Sequence, residues 1–235
     1  MSAADKAIQR EYYRKTASQY DEMHVFDKGE HALALALLAA LIDYHGIKSV
    51  LDIGSGTGRA LLAIKSKCPG TIVVGIEPSR ELREQGYKKG LSTLELFDGD
   101  AHALPFEDGA YDLVCEFGVL HHLPDPRSAV REMLRVARIG IFISDSNNFG
   151  QGGFVARSIK QTLHALKLWP LADLIKTRGK GYSISEGDGL AYSYSVFSDY
   201  AEIAKQCSRI HMFNTIGNGP NLYRNAAHVA LLALK

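Results

Sequence analysis

Short apolar runs and longer amphipathic stretches alternate along this chain of 235 residues. Residues 49–53, 71–76, 94–97, 111–117 and 139–144 are rich in Val, Ile, Leu and Phe and have the length of buried strands. Between them the pattern predicts three helices. One covers 58–67 and is closed by Cys68-Pro69-Gly70; one covers 79–89, opening after Pro78 and ending at Gly90; one covers 126–138, behind the cap candidate Asp125. This alternation predicts an α/β architecture in which helices cover both faces of a parallel sheet. Ahead of the first strand, residues 30–44 alternate Ala and Leu, but a stretch this long with high helix propensity, stopped by Gly46, predicts a buried helix.

The flanking segments lose this rhythm. The first 28 residues read as an arm, polar and aromatic, with Tyr12, Tyr13 and Tyr20 and little periodicity. Residues 147–196 read as an insertion covering the open edge of the sheet, with a helical stretch over 154–168, Trp169 before Pro170, and a Gly- and Tyr-rich run to Tyr194. A helix over 198–207, capped by Ser198, and strands over 210–215 and 226–234 predict a closing antiparallel hairpin.

Lys and Arg number 27 and Asp and Glu 26, so the net charge of +1 gives no global field for polyanions, and no nucleic-acid partner is expected. Cys68, Cys115 and Cys207 are odd in number and outside any CxxC pattern, which argues against a disulfide framework or a structural zinc and for a reducing, cytoplasmic setting. The longest apolar run, 32–42, falls short of the ~20 residues a membrane helix needs, so no membrane span is expected.

The most informative stretch is Val50-Leu51-Asp52-Ile53-Gly54-Ser55-Gly56-Thr57-Gly58, a buried strand running through glycines into a helix. Such a turn brings a ligand against bare backbone at a helix N-terminus. A dinucleotide fingerprint would place its third glycine at position 59, which is Arg59, so an NAD-linked oxidoreductase is disfavoured. Asp52-Ile53-Gly54-Ser55-Gly56-Thr57-Gly58 resembles instead the first motif of class I S-adenosylmethionine-dependent methyltransferases. Later landmarks follow in order: Ile76-Glu77-Pro78-Ser79, Asp98-Gly99-Asp100-Ala101, Leu104-Pro105-Phe106, Tyr111-Asp112-Leu113-Val114, and a segment from Glu116 and Phe117 to Asp125. The resemblance covers about residues 18–146 and the helix at 198–207, and is to the small-molecule group that includes the ubiquinone and menaquinone methyltransferases.

That resemblance implies a doubly wound, Rossmann-like, mostly parallel seven-stranded sheet with an antiparallel C-terminal hairpin and a helical or irregular cap. The single domain would divide into an arm or lid (1–28), a cofactor-binding core (29–146), a cap (147–196) and the last helix and strands (197–235). It implies S-adenosyl-L-methionine as cofactor and S-adenosyl-L-homocysteine as product, held by Tyr20, Asp52, Gly54, Ser55, Gly56 and Gly58. Glu77, beside Pro78, would accept the ribose hydroxyls, and Asp100, beside Ala101, the adenine amino group; Glu116 and Phe117 complete the implied set. Where the family commonly has Lys-Pro-Gly-Gly before strand five, Arg135-Val136-Ala137-Arg138-Ile139-Gly140 predicts a shortened turn.

On the acceptor side, His121 and His122 follow the fourth strand, where methyl donor and acceptor should meet. Each is open to two readings, a base or acceptor contact and a structural side chain. Asp145, with Ser146 and Asn147, could bond a polar acceptor or simply form a turn. No acid aligns with the E-x-x-E-H pattern of metal-dependent relatives, so no metal is expected. The reading is methyl transfer to a small molecule, with a hydroxyl oxygen first. Carbon or nitrogen of a metabolite, lipid or quinone comes next, then a non-catalytic cofactor-binding protein. A monomer or homodimer is expected. The basic residues Lys160, Lys167, Lys176, Arg178 and Lys180 could face a phosphate or lipid surface, or solvent.

Overall fold

The computed structural model describes residues 3–24, 29–185, 187, 189–217 and 219–235; residues 1, 2 and 25–28 of the expected arm, 186 and 188 of the expected cap, and 218 of the expected last segment lie outside them. The elements run α1 (Ala3–Thr16), α2 (Tyr20–His24), α3 (Glu30–His45), β1 (Ser49–Ile53), α4 (Arg59–Lys67), β2 (Ile72–Ile76), α5 (Arg80–Lys88), β3 (Leu96–Phe97) and β4 (Tyr111–Phe117). They continue with α6 (Pro126–Val136), β5 (Ala137–Ser146), α7 (Phe154–Ala165), α8 (Trp169–Lys176), β6 (Tyr182–Ser185), β7 (Gly189–Tyr192), α9 (Tyr200–Ile203), β8 (Arg209–Gly217), α10 (Leu222–Asn225) and β9 (Ala226–Leu234). Seven strands form one sheet in the order β3-β2-β1-β4-β5-β9-β8, parallel except for β9 and β8; β6 and β7 pair separately. This is the doubly wound sheet with a closing antiparallel pair.

The strands read as continuous apolar runs because both faces are buried. Successive side chains alternate between two cores: Leu51, Ile53, Val114, Ile141 and Ile143 pack with α6, whereas Val50, Leu113, Cys115 and Phe142 pack with α3 and α4. In α3, Ala34, Leu38 and Ile42 lie on one helical face and supply much of the second core, and Gly46 ends the helix at φ 63°. Asp125 accepts the Ser128 amide at 3.3 Å and Pro126 opens α6, as the pattern predicts. The helix stops at Val136, two residues early, because Ala137 already pairs with Tyr111; α6 enters β5 with no intervening turn.

Three expectations change. The arm is helical, as α1 and α2. The helix expected over 198–207 is reduced to a 3-10 turn and the short α9, and Ser198 caps nothing; Asp199 is turned inward, where the Tyr194 hydroxyl donates to it at 3.0 Å. The insertion covers the carboxyl ends of the strands, not the open edge. The reason is polar anchoring of β7: the Leu190 amide donates to Gln9 of α1 and the Leu190 carbonyl accepts His122 Nδ1, both at 2.7 Å.

Asn147 joins core to cap. It is buried, its amide donates to the Leu222, Tyr223 and Ala226 carbonyls, and its oxygen accepts Ser195 Oγ at 2.9 Å and the Phe149 amide at 3.3 Å. It therefore acts as a structural hub, the turn reading of this position. Asn147→Ala would strand several buried polar groups, and we expect a loss of about 2–4 kcal/mol in urea unfolding.

Candidate active site

The ends of β1, β4 and β5 open into a cavity of about 520 Å³, roofed by α8, β6 and β7. Its floor is the glycine turn. Gly54, Gly56 and Gly58 have φ of 63°, 55° and 77°, the left-handed region, and a Cβ would stand 2.4 Å from Val119 at Gly54 and 2.1 Å from Leu91 at Gly58. Gly56 has room: its Cβ would meet only the Tyr20 ring, at 3.7 Å. Tyr20 is held over the turn by its neighbour Asp21, which accepts Thr57 Oγ1 at 2.6 Å and pairs with Lys89.

Of the residues implied for the cofactor, Tyr20, Asp52, Gly54, Ser55, Gly56 and Phe117 line this cavity. Glu77, Pro78, Asp100, Ala101 and Glu116 do not. Glu77 is buried below the turn, its two carboxylate oxygens accepting the Gly56 amide at 3.0 Å and the Ser79 amide at 2.8 Å. Asp100, exposed beyond β3, pairs with His102 at 2.9 Å. Glu116 is buried and accepts the Val119 and Ser144 amides, tying β4 to β5, so it presents no group to a ligand here. Gly58, behind the turn, is the residue before α4.

The acceptor half holds both predicted histidines. His121 Nδ1 lies 2.7 Å from Asp145, whose second oxygen accepts the His121 amide at 3.3 Å. The His122 ring is tilted 45° against His121, with ring centroids 4.1 Å apart, while its Nδ1 donates to Leu190 in the cap. Asp145 is fully buried beneath His121 and has no exposure to the cavity. Ser146 lines the cavity. The wall residues that were not singled out from the sequence include Arg59, noted only as a missing glycine, and Glu30, His31 and His228. Arg59 was legible from its register as the first residue of α4, where a long side chain can turn back toward the strand ends. Nothing local marks His31 and His228. The β5–β9 pairing and the packing of α3 bring their rings to 4.9 Å.

Burial sets the protonation pattern. It pushes Asp52 up to about 7 against the pull of Ser55, Cys115 and Arg59, and pushes Glu77 up to about 7 against its two amide donors. Burial, reinforced by the charge of Asp145, pushes Glu116 well above the usual carboxylate range. Burial also opposes ionisation of Asp145, but the charge and hydrogen bond of His121 outweigh it and hold that carboxylate below its ordinary value. Burial lowers His31 far below its usual value and His228 to about 4, so both are neutral rings. The two neighbouring carboxyls are thus shifted in opposite directions, Glu116 up and Asp145 down. Among the described residues, no group of three or more His, Cys, Asp or Glu side chains is arranged to hold a metal ion, and no helix is long and apolar enough to cross a membrane.

Residues 51–143 match the family described as a methyltransferase domain. The sheet order and the glycine turn agree with that match, which covers the core strands and neither the arm nor the cap. The demethylmenaquinone methyltransferase of Roseiflexus castenholzii is 33% identical over 134 residues, which is 54% of this chain and 55% of that protein. The chain spans about half the length, or less, of the first such relatives. Among solved structures, an S-adenosylmethionine-dependent methyltransferase of Thermotoga maritima, described as a possible histamine N-methyltransferase, has a TM-score of 0.62 at 18% identity, covering 97% of this chain and 99% of that one. The magnesium protoporphyrin IX methyltransferase of Synechocystis PCC 6803, solved with bound S-adenosylhomocysteine, has a TM-score of 0.59 at 14% identity, covering 98% and 99%. These two likenesses establish the fold.

The buried acids carry a pH signature. Asp52 ionises near 3.9 in an unfolded chain and at about 7 in the fold. Between those values the folded chain holds the extra proton, so stability falls as pH rises. Asp52→Asn removes this contribution. The stability of the wild type minus that of the variant should fall by about 2–4 kcal/mol from pH 4 to pH 8 in urea titrations; a flat difference contradicts the assignment.

Proposed function

We propose that the protein transfers a methyl group from S-adenosylmethionine to a small-molecule acceptor, with a hydroxyl oxygen as the first choice. The observation that carries this reading is one cavity walled at one end by the glycine turn, Asp52 and Arg59 and at the other by His121 backed by Asp145. The residues suit the cofactor: a carboxylate and a guanidinium on one wall match the ammonium and carboxylate of an amino acid, and bare backbone at Gly56 leaves room beside Tyr20. When bound, S-adenosylmethionine supplies an electrophilic methyl group on a sulfonium. Arg59 would take the carboxylate, Asp52 face the ammonium, and Tyr20 close over that end. Glu77 and Asp100 are proposed for the ribose and adenine, which requires the Glu77 carboxylate to accept from the ligand while it holds the two amides.

On the acceptor side, an ionised Asp145 only accepts, so His121 Nδ1 keeps its hydrogen, and once the ring has lost its second proton Nε2 is its basic nitrogen. That nitrogen would receive the hydroxyl proton, while Asp145 fixes the tautomer and stabilises the imidazolium. His122, bonded to the cap carbonyl, acts as a spacer that sets the angle of His121. A quinone is the second acceptor class, supported by the relative that acts on demethylmenaquinone.

Calorimetry with S-adenosylmethionine, S-adenosylhomocysteine and NAD tests the donor reading: the first two should bind and NAD should not, and the reverse would refute it. Arg59→Met should weaken S-adenosylhomocysteine by about 10- to 100-fold. His121→Ala should lower single-turnover methyl transfer by about 10² to 10⁴ while leaving that affinity level, and should abolish the rise of rate with pH. Turnover per folded molecule that stays near normal in His121→Ala would remove His121 from the proton path.

A further inference from the structure

Helices α7 and α8 carry their amphipathic pattern inside out. No side chain of either helix is buried. On α7, the side turned to the protein is held by polar groups and one ring contact: Lys160 donates to the Asn148 carbonyl, Gln161 to the Phe149 carbonyl at 2.9 Å, and His164 stacks on Phe149. On α8, Asp173, Lys176 and Thr177 at its end border the cavity. Away from those contacts the helices present Val155 and Ile159 of α7 and Leu171, Leu174 and Ile175 of α8, each between 47% and 71% exposed. In a helix packed on its own core these positions would face inward.

The charge around this face is also singular. Residues 154–180 contain six basic side chains against one acid, Asp173, a net of +5 in a chain whose total is +1. The next acids along the sequence are Glu186 and Asp188. Lys167, Arg178 and Lys180 are exposed beside the apolar residues. A second copy of this chain is a poor occupant, because a two-fold contact would press the basic cluster against itself. An anionic bilayer fits both features: the apolar side chains sink below the headgroups and the basic ones pair with lipid phosphates, at about 1 kcal/mol for each cation near the surface.

We propose that the α7–α8 hairpin docks on an anionic membrane surface, lying in the interface without crossing it. Because the inward side of α8 roofs the cavity, docking would hold the cavity within one helix of the bilayer. An acceptor drawn from the lipid would then have only the cap to pass, a consequence that rests on the methyl-transfer reading; the docking itself does not.

The test is sedimentation of the full chain with vesicles, without cofactor or acceptor, so that it stands or falls apart from the reaction. The protein should sediment with phosphatidylcholine–phosphatidylglycerol vesicles and remain in solution with phosphatidylcholine alone, and added salt should release it. Ile159→Asp with Ile175→Asp should abolish sedimentation, and Lys167→Gln with Arg178→Gln should weaken it by about thirtyfold. Unchanged S-adenosylhomocysteine affinity and unfolding midpoint would show that these surface variants remain folded. Failure of the wild type to sediment overturns the proposal, as does equal binding by the folded variants. A wild-type dimer that Ile159→Asp with Ile175→Asp splits into monomers would assign the face to a second copy instead.

Discussion

The left-handed backbone at Gly54, Gly56 and Gly58, fixed by the Gly56 amide on the buried Glu77 carboxylate, is the constraint on which the site depends. A Cβ at the first or third glycine would collide with Val119 or Leu91, so β1 can turn into α4 within five residues only through these glycines. The tight turn starts α4 at Arg59 and so brings a guanidinium to the cavity wall. It also leaves Gly56 bare beneath Tyr20. One backbone conformation therefore supplies the floor, the cation and the gap.

Four carboxylates, of Asp52, Glu77, Glu116 and Asp145, are buried around these strand ends, and their environments divide the labour. Glu77 and Glu116 each accept two backbone amides and brace neighbouring strands. The hydrogen bond and charge of His121 hold the Asp145 carboxyl below its ordinary range, while burial and the charge of Asp145 push Glu116 well above it. Two like charges this deep would be costly, which is why the two groups are pushed apart, one up and one down. The asymmetry turns a histidine after a strand into an oriented base for the proposed proton transfer.

The arm and cap are fastened to this core by polar contacts more than by burial. Asp21 bonds Thr57 and Lys89; Gln9 and His122 grip the two sides of Leu190; Asn147 gathers three carbonyls around itself. Such fastenings position a roof while leaving the apolar faces of α7 and α8 outside, which is why the cap adds little to either core.

The alternation of apolar runs and helices determined the sheet, and the glycine spacing located the turn, because strand burial and left-handed backbone are local demands that only certain residues meet. Glu77 and Glu116 were legible as acids at strand ends, but which way their carboxylates turn depends on amides from other strands. The cap could be delimited but not placed, since hydrogen bonds to Leu190 from Gln9, 181 residues away, and from His122, 68 away, put it over the strand ends. His31 and His228 carry no local signal at all. They become wall residues only because α3 packs against the sheet and β9 lies antiparallel to β5, and contacts made across such separations leave no period in the chain.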